Sequence, residues 1–273
     1  LEMKKFDGKV VIVTGSSAGI GQAVILAFAK EGASVVLHGT NGERIEETRK
    51  LLEQLGVSEA KLLIVQGDIS DENVQDRLIE ETVEKFGRID VLINNAGLGK
   101  KDGVDYHSMD NFDYVMKVNL RAPFRLTQLA LPHLEKTKGN IINTSSIAST
   151  VKTFEHPMFT TYGMSKAALD TFTKYECSRL AKKGVRINNI NPGPFMTNIG
   201  HRGDPIFTPE QMAKMMEDAG KSTTDTIPVG RWGVPSEIAP VYLQLADNEI
   251  SSFITGACWA IDGGASWHAP KFI

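Results

Sequence analysis

The chain reads KVVIVTGSSAGIG from Lys9 to Gly21, a valine-rich apolar run that passes directly into a glycine-rich turn. Apolar residues that follow one another without alternation are typical of a strand buried on both faces, as in parallel sheets. The pattern from Ala23 to Lys30, closed by Gly32, predicts a helix immediately after the turn. Strand, glycine turn and helix in this order predict a dinucleotide-binding unit, with the helix N-terminus facing a diphosphate.

Six further apolar segments alternate with helical patterns along the chain. They are Ala33–His38, Lys61–Gln66, Ile89–Ile93, Gly139–Thr144, Val185–Ile190 and Gly256–Ile261. Because no linker, repeat or low-complexity tract interrupts the alternation, we expect one α/β domain over residues 7–268. Its sheet should be parallel and doubly wound, with helices on both faces.

The bulk composition is typical of a globular protein with one substantial core. The chain has 273 residues, of which 41% are hydrophobic and 23% charged, and its net charge is −3. This charge predicts no nucleic-acid partner, and no apolar run reaches the ~20 residues that span a membrane. The two cysteines, Cys177 and Cys258, have neither metal nor redox spacing, so we expect a cytoplasmic location and no metal site. Leu1 and Glu2, before Met3, are expected to be a cloning remnant, and no signal-peptide pattern follows them.

The end of the second predicted strand bears on which dinucleotide is bound. An acidic residue at Gly39 or Thr40 would bind the ribose 2′-hydroxyl of NAD, and neither position is acidic. That leaves space for a 2′-phosphate, to which Thr40, Asn41 and Arg44 could donate. However, no arginine or lysine stands at Ala18 or Thr40 to hold the phosphate strongly. The sequence favours NADP(H) over NAD(H) and leaves NAD(H) open.

Polar and small residues follow three other strands, at the edge where open α/β sheets bind ligands. Asp68 could accept from an adenine amino group or cap the next helix. The tetrapeptide Asn94–Gly97 suits amides that tie neighbouring strands together, beside a backbone against which a ribose can lie. The sharp turn Asn191–Thr197 could hold a carboxamide, through Thr197 and the backbone.

Four side chains are candidates for acid–base chemistry. Tyr162 and Lys166 are four apart on a predicted helix, so they share one face, and the ammonium should lower the phenol pKa from about 10. An ordinary surface pair is the alternative. Asn119, with Pro123 four residues on, predicts a distorted helical turn that could hold a water, and packing alone is the alternative. Ser146 ends the fifth strand, where a substrate oxygen could bind.

The least regular stretch, 194–228, is expected to form a substrate lid. A capping box at Thr208 predicts a short helix whose methionines, Met212, Met215 and Met216, suit a lid or core packing equally. The loop Ile147–Thr161 is expected to form part of a pocket wall, with His156 as polar surface. An apolar substrate pocket is expected from Phe159, Phe195, Met196, Ile199 and Met212.

Together these motifs resemble the short-chain dehydrogenase/reductase superfamily, from Lys9 to about Gly264. They are Thr14-Gly15-x3-Gly19-Ile20-Gly21, Asn94-Asn95-Ala96-Gly97, Ser146, Tyr162-x3-Lys166, Asn191-Pro192-Gly193 and Asp262-Gly263-Gly264. The resemblance implies a single Rossmann domain, strand order 3-2-1-4-5-6-7, and hydride transfer between a nicotinamide and a carbonyl or secondary alcohol. The chain is also similar to tropinone-reductase-like and 3-oxoacyl-reductase-like members, which are mostly NADPH-dependent.

The resemblance also implies a role for each matching residue. Tyr162 is the acid/base, Lys166 lowers its pKa and holds the nicotinamide ribose, Ser146 hydrogen-bonds the substrate oxygen, and Asn119 holds a relay water. Ser149 lies nearer the common serine–tyrosine spacing, and we prefer Ser146 with a lengthened loop. The implied cofactor-binding residues are Gly15, Ser17, Gly19, Ile20, Gly21, Thr40, Asn41, Asp68, Ile69, Asn95, Ala96, Gly97, Tyr162, Lys166, Pro192, Gly193, Phe195 and Thr197.

The leading hypothesis is an NADP(H)-dependent carbonyl reductase acting on a small molecule. An NAD(H)-dependent alcohol dehydrogenase is the alternative within enzymes, and a dinucleotide-binding redox sensor without turnover is the alternative from another class. The motifs do not select a substrate. A homo-oligomer, tetramer or dimer, is implied by the resemblance, with the helices in Asp110–Lys136 and Thr161–Ala181 as its interfaces.

Overall fold

The structure, a computed structural model, describes residues 4–152, 156–197 and 227–267. Its strands are β1 (Val10–Val13), β2 (Ser34–Gly39), β3 (Leu62–Gln66), β4 (Val91–Asn94), β5 (Asn140–Thr144), β6 (Arg186–Pro192) and β7 (Cys258–Ile261). All pair in parallel in one sheet, in the order β3-β2-β1-β4-β5-β6-β7. The predicted doubly wound sheet and its strand order are confirmed.

Helices pack on both faces of this sheet. They are α1 (Gly19–Lys30), α2 (Gly42–Gln54), α3 (Glu72–Phe86), α4 (Met109–Met116), α5 (Ala122–Thr137), α6 (Met158–Ala181), α7 (Pro235–Ala246) and α8 (Asn248–Ser251). In β1, Val11 and Val13 lie in the core cluster with α1, α2 and α7, whereas Ile12 lies in the cluster with α3 to α6. Alternate residues of a strand face opposite sides, so a sheet covered on both faces requires an unbroken apolar run.

The π-helical turn Lys117–Arg121 separates α4 from α5 and carries Asn119. This confirms the distortion predicted from Asn119 and Pro123. The loop before Tyr162 was predicted to run from Ile147 to Thr161, and that boundary is wrong because α6 begins at Met158. Pro157 immediately precedes the helix with φ −53°, and the fixed φ of proline suits a helix start.

Several strand ends also differ from the predicted ones. β4 starts at Val91 rather than Ile89 and includes Asn94, whose Nδ2 donates to Asn143 Oδ1 on β5 at 2.8 Å. β6 extends through Asn191 to Pro192, which pairs with Ile261. Strands thus continue through polar residues whose side chains are hydrogen-bonded inside the sheet. A prediction from the apolar pattern alone ends these strands too early.

Some predictions fall on residues outside the described ranges. They concern Leu1 and Glu2, part of the loop Ile147–Thr161, and the lid residues Ile199, Thr208, Met212, Met215 and Met216. Among the described helices, none is long and apolar enough to cross a membrane. Within the same ranges, His, Cys, Asp and Glu side chains form no group of three or more that could hold a metal ion.

Candidate active site

The glycine turn after β1 rests directly on the loop after β4. Gly15 has φ +64°, and a Cβ there would lie 2.9 Å from Ala96 Cα. A Cβ at Gly21 would lie 2.4 Å from both Asn95 Nδ2 and Gly15 O. Asn95 Nδ2 itself donates to Thr14 O and Gly15 O, at 2.9 and 3.1 Å. The two loops are therefore held together by hydrogen bonds and leave no room for side chains at these glycines.

The N-terminus of α1 is open to an anion. Its N-cap residue, Ala18, has extended backbone and makes no side-chain capping hydrogen bond. The first helical residue is Gly19, with φ +58°. Amides that no side chain caps, together with the positive end of the helix dipole, suit a diphosphate. A residue of β2 holds the glycine turn that precedes these amides: His38 Nδ1 accepts from Gly15 N at 3.0 Å.

Thr40 is the position beside the turn with room for cofactor discrimination. A Cβ at Gly39 would lie 2.5 Å from Ser17 Oγ, so any side chain there would have to displace Ser17. Thr40 is exposed, and its carbonyl accepts from Gln66 Nε2 at 3.1 Å. Asn41 Oδ1 accepts from Arg44 N at 2.9 Å and so caps α2. Asn41 therefore has a structural role besides the predicted phosphate contact.

Asp68 is oriented by two hydrogen bonds at the end of β3. Its Oδ1 accepts from Ser70 N at 2.8 Å, and its Oδ2 accepts from the Tyr114 hydroxyl on α4. The alternative prediction, that Asp68 caps α3, is wrong because Asp71 is the N-cap residue. Ile69, beside it, is buried in the core.

The four acid–base candidates are all buried and come from three elements. Ser146 follows β5, Tyr162 and Lys166 lie on α6, and Asn119 lies in the π-helical turn. The Ser146 hydroxyl is near enough to the Tyr162 phenol to lower its pKa. Lys166 Nζ donates to Thr144 O at 2.7 Å and lies 5.5 Å from the centroid of the Tyr162 ring. The predicted common helix face thus brings the phenol and the ammonium together beside Ser146.

Of the two candidate serines, Ser146 is the one that contacts Tyr162. Ser149 ends the 3-10 turn Ile147–Ser149, and its Oγ accepts from Asn191 Nδ2 at 3.1 Å.

The Asn119 side chain is fully engaged in packing the site. Its Oδ1 accepts from Leu98 N at 2.9 Å, and its Nδ2 donates to Leu98 O and Ser165 Oγ, at 2.8 and 2.9 Å. These contacts tie the loop after β4 to α6, in agreement with the packing alternative. The predicted relay water would therefore bind a backbone carbonyl of the π-helical turn, where helical pairing is disturbed.

Burial, rather than the neighbouring cation, dominates the protonation of Tyr162. Loss of solvent raises the pKa of Tyr162 to about 12, although the hydrogen bond from Ser146 opposes the shift. The predicted lowering by Lys166 is wrong in this structure because the ammonium faces Thr144 O and the ring rather than the phenol oxygen. Burial also lowers the pKa of Lys166 to about 8, against the opposing charge of Asp170. At neutral pH the phenol is protonated and Lys166 is charged.

Lys166→Met is expected to change how the free energy of unfolding depends on pH. The Lys166 pKa is about 8 when folded and ordinarily 10.5. Between these values the unfolded chain binds more protons, so this group makes stability rise with pH. From about pH 7 to about pH 9.5, Lys166 should therefore add on the order of 1–2 kcal/mol to the free energy of unfolding of the parent. The variant should lack this increase. Urea denaturation at both pH values measures this, and parallel profiles would show that Lys166 is not perturbed.

The loops after β4 and β6 complete the site. A Cβ at Gly97 would lie 3.2 Å from Lys166 Nζ, so this glycine leaves space beside the ammonium. A Cβ at Gly193, which follows Pro192, would lie 2.5 Å from Asp262 Cβ. The closing Asp-Gly-Gly motif therefore packs against the turn after β6. The Thr197 side chain lies 3.5 Å from the Cβ position of Gly19, facing the glycine turn.

The predicted apolar pocket includes Ile199 and Met212, which lie outside the described ranges, so the pocket stays a prediction. Phe159 lines a cavity of about 600 Å³ with Ser149 and Met164. Met196 lines a separate groove of about 440 Å³ between α1 and α7. The Phe195 side chain is 9% exposed and packs in the core, where its ring excludes a side chain at Gly233, so a cofactor contact there would be made by the backbone.

Sequence reasoning missed several residues that hold the site. Tyr242 on α7 is fully buried, which raises the pKa of its phenol, and its hydroxyl pairs with Thr144 Oγ1 at 2.7 Å. Thr144 Oγ1 also donates to Asn95 Oδ1 at 3.2 Å, which links α7 to the glycine turn. No local pattern marks Tyr242, whereas Asp170 lies one turn after Lys166 on the same face, a spacing that could have identified it.

The fold and this buried cluster define a class, the Rossmann-type nicotinamide-dependent oxidoreductases. A family model described as enoyl-(acyl carrier protein) reductase matches residues 15–266. At 36% identity, 95% of the chain aligns with 98% of the 3-oxoacyl-[acyl-carrier-protein] reductase FabG of Thermotoga maritima. A Caenorhabditis elegans short-chain dehydrogenase/reductase of unknown function, solved with cofactor, is 38% identical, with a TM-score of 0.89 and 97% of each chain covered.

A 7α-hydroxysteroid dehydrogenase, complexed with NADH and 7-oxo glycochenodeoxycholic acid, is 30% identical with a TM-score of 0.80, and 96% of each chain is covered. The chain belongs to the short-chain dehydrogenase/reductase superfamily. It is an NAD(P)-dependent oxidoreductase that acts on CH–OH or C=O groups.

Proposed function

We propose that the chain is an NADP(H)-dependent reductase of small carbonyl compounds, with Tyr162 as the general acid. The observation that carries this proposal is the Tyr162 phenol, which is buried beside Ser146 and raised in pKa to about 12. Such a phenol holds its proton at neutral pH, which suits donation to a carbonyl oxygen. The reverse oxidation would need the phenolate, which burial disfavours.

The residues of the cluster divide the reaction among them. Ser146 donates a hydrogen bond to the substrate oxygen, and Tyr162 transfers its proton to that oxygen as negative charge develops. Lys166 is charged and faces Thr144 O and the Tyr162 ring, so its part is to hold the nicotinamide ribose rather than to lower the phenol pKa. The nicotinamide, when bound, supplies the hydride. Burial of all three side chains excludes water and strengthens these interactions.

The same site has the features needed to hold the dinucleotide. The uncapped N-terminus of α1 suits the diphosphate. Asp68, already oriented by Tyr114, has the chemistry to bind an adenine amino group. Lys166 and the space at Gly97 suit a ribose, and Thr197 faces the glycine turn. These matches of shape and charge support the proposed cofactor residues.

Thr40→Arg is expected to increase the affinity for NADPH about tenfold and to leave that for NADH nearly unchanged. Thr40 is exposed beside the turn, so a guanidinium there can reach a 2′-phosphate without displacing core residues. Thermal denaturation with increasing NADPH or NADH measures both dissociation constants. Equal effects on the two cofactors would place the 2′-phosphate elsewhere.

The proposal itself is tested by the same titration on the parent protein. A cofactor at a hundred times its Kd should stabilise the fold by about 2.7 kcal/mol. Preference for NADPH supports the reductase, whereas preference for NADH supports an NAD(H)-dependent alcohol dehydrogenase. Binding without turnover of any carbonyl or alcohol supports the redox-sensor alternative, and binding of neither cofactor contradicts the site.

The proposed substrate is defined by its chemical class alone, a small carbonyl compound or secondary alcohol. Two relatives are named for an acyl thioester and a steroid, which share only a carbonyl or secondary alcohol. Dimers or tetramers stay a prediction, to be measured by sedimentation velocity, as does the cytoplasmic location. Phe124 on α5 is 49% exposed, and its ring centroid lies 5.3 Å from that of Phe172 on α6. This exposed apolar surface on the two predicted interface helices supports association.

A further inference from the structure

Asp170 is a buried carboxylate that the proposed chemistry does not use. It lies on α6, is 4% exposed, and makes no ion pair with another described residue. Its Oδ1 accepts from Asn189 Nδ2 at 2.7 Å, and its Oδ2 accepts from Asn191 Nδ2 at 2.9 Å. Burying a carboxylate without an ion pair is costly unless hydrogen-bond donors satisfy it, and here one amide donates to each carboxylate oxygen.

Asn191 extends this contact to both ends of the Ser146 turn. Asn189 and Asn191 are two apart on β6 and therefore face the same side of the sheet. Asn191 Nδ2 also donates to Ser146 O and to Ser149 Oγ, each at 3.1 Å. One amide group thus joins the Asp170 carboxylate to the backbone of the serine that contacts Tyr162.

Asp170 shares a helix with Tyr162 and Lys166, two side chains of the proposed reaction. Tyr162, Lys166 and Asp170 follow one another at four-residue intervals and lie on one face of α6. The hydrogen bonds from β6 to Asp170 therefore fix the rotation of α6 and its position along its axis relative to the end of β5.

We propose that Asp170 is the positioning residue of this site. Through Asn189 it holds α6 against β6. Through Asn191 it positions the Ser146 backbone so that the serine lies beside the Tyr162 phenol. The inference rests on the proposed roles of Ser146 and Tyr162. It assigns no contact between Asp170 and substrate.

The charge of Asp170 provides a readout that a purely structural role would not give. It raises the pKa of Lys166 against burial, which lowers it to about 8. Among described residues, the other titratable groups near the ammonium are Tyr162 on α6 and Tyr242, which reaches it through Thr144. The contacts from β5, the loop after β4 and the π-helical turn are uncharged. Removing the carboxylate should therefore lower the Lys166 pKa further.

Three proteins test the proposal beside the parent. Asp170→Asn keeps the shape but removes the charge and one acceptor. The double variant Asp170→Asn with Asn189→Asp exchanges carboxylate and amide, so Asn189's partners, Thr173 Oγ1 and Asn143 Nδ2, still meet an acceptor. Thr173→Val is the matched control, because it removes a buried hydroxyl from the same network one turn later without changing charge.

The assay measures NADPH-dependent reduction of a carbonyl that the parent turns over, across pH. Asp170→Asn should lower kcat about tenfold or more. The fall of kcat at high pH should also begin about half a pH unit or more lower than in the parent, because the Lys166 pKa is lower. Thr173→Val should lower stability but keep kcat and its pH dependence. The exchange variant should fold and recover most of the lost kcat.

A direct readout separates this inference from the proposed function. The Lys166 pKa is followed by NMR with ¹³Cε-labelled lysine, its signal being assigned as the one missing in Lys166→Met. A parent that folds and binds NADPH but reduces nothing contradicts the proposed function, while the NMR titration still tests the charge effect. An unchanged Lys166 pKa and kcat in Asp170→Asn overturns the inference. If Asp170→Asn does not fold, an exchange variant that is unfolded or inactive overturns it equally.

Discussion

Tyr162→Phe is expected to lower kcat/KM for carbonyl reduction by about 10³-fold or more. The substitution removes only the phenol oxygen, which is the proposed proton donor and the partner of Ser146. The ring keeps its buried position beside Lys166 Nζ, so cofactor affinity should change little. Steady-state consumption of NADPH measures the first effect, and thermal titration with NADPH measures the second.

The control for this substitution is a second buried phenol. Tyr242→Phe also removes a buried hydroxyl, one that is bonded to Thr144 rather than to Ser146. It should cost stability, about 1–3 kcal/mol for the hydrogen bond left unmade, and at most a few-fold in kcat/KM. Activity of Tyr162→Phe within about tenfold of the parent would rule Tyr162 out as the general acid.

Gly21→Ala is expected to weaken NADPH binding about 100-fold, since a displacement of ~1 Å can cost that much in a positioned site. The added methyl would lie 2.4 Å from both Asn95 Nδ2 and Gly15 O. Neither atom can retreat easily, because the two are hydrogen-bonded to each other at 3.1 Å. Overpacking of this kind also costs about 1–3 kcal/mol of folding stability. Urea denaturation and NADPH titration measure the two losses separately.

Gly42→Ala is the matched control for the glycine turn. Gly42 begins α2, and a Cβ there would lie 3.6 Å from the nearest atom, an ordinary contact. Alanine favours a helix over glycine by about 0.8–1 kcal/mol, so this variant should be as stable as the parent or more so. If Gly21→Ala bound NADPH as well as Gly42→Ala does, the close packing of the two loops would not be what shapes the cofactor site.

The fold was predictable because its signals are local. The unbroken apolar run in β1 and the glycines after it follow from burial on both sheet faces and from contacts too close for a side chain. The distorted turn at Asn119 was likewise predictable from the sequence itself, because it lies four residues before Pro123. The helix spacing of Tyr162 and Lys166 placed both on one face, as observed.

The electrostatics of the site were not predictable from spacing alone. A lysine four residues from a tyrosine lowers the phenol pKa only if the ammonium points at the oxygen and water still reaches it. Here β5 offers the Thr144 carbonyl to Lys166, and the core buries Tyr162, so desolvation dominates. Both facts depend on strands far away in sequence.

Partners supplied by distant segments explain the other differences. The Phe195 ring packs in the core against Gly233, almost forty residues on, and the local sequence of neither predicts this contact. Tyr242 reaches Thr144 from α7, and nothing in the local sequence of either predicts the pair. Asn41 was expected to face a phosphate and also caps α2, because an amide at a helix start competes for the first free N–H groups.

The central claim is that this site transfers a hydride from NADPH to a carbonyl while Tyr162 supplies the proton. The most direct test mixes the parent protein with NADPH carrying deuterium at the transferable position and a panel of ketones and aldehydes. We expect at least one alcohol product to carry the deuterium on its carbinol carbon, with Tyr162→Phe giving none above background. NADPH that binds but delivers no deuterium to any carbonyl in the panel would contradict the claim.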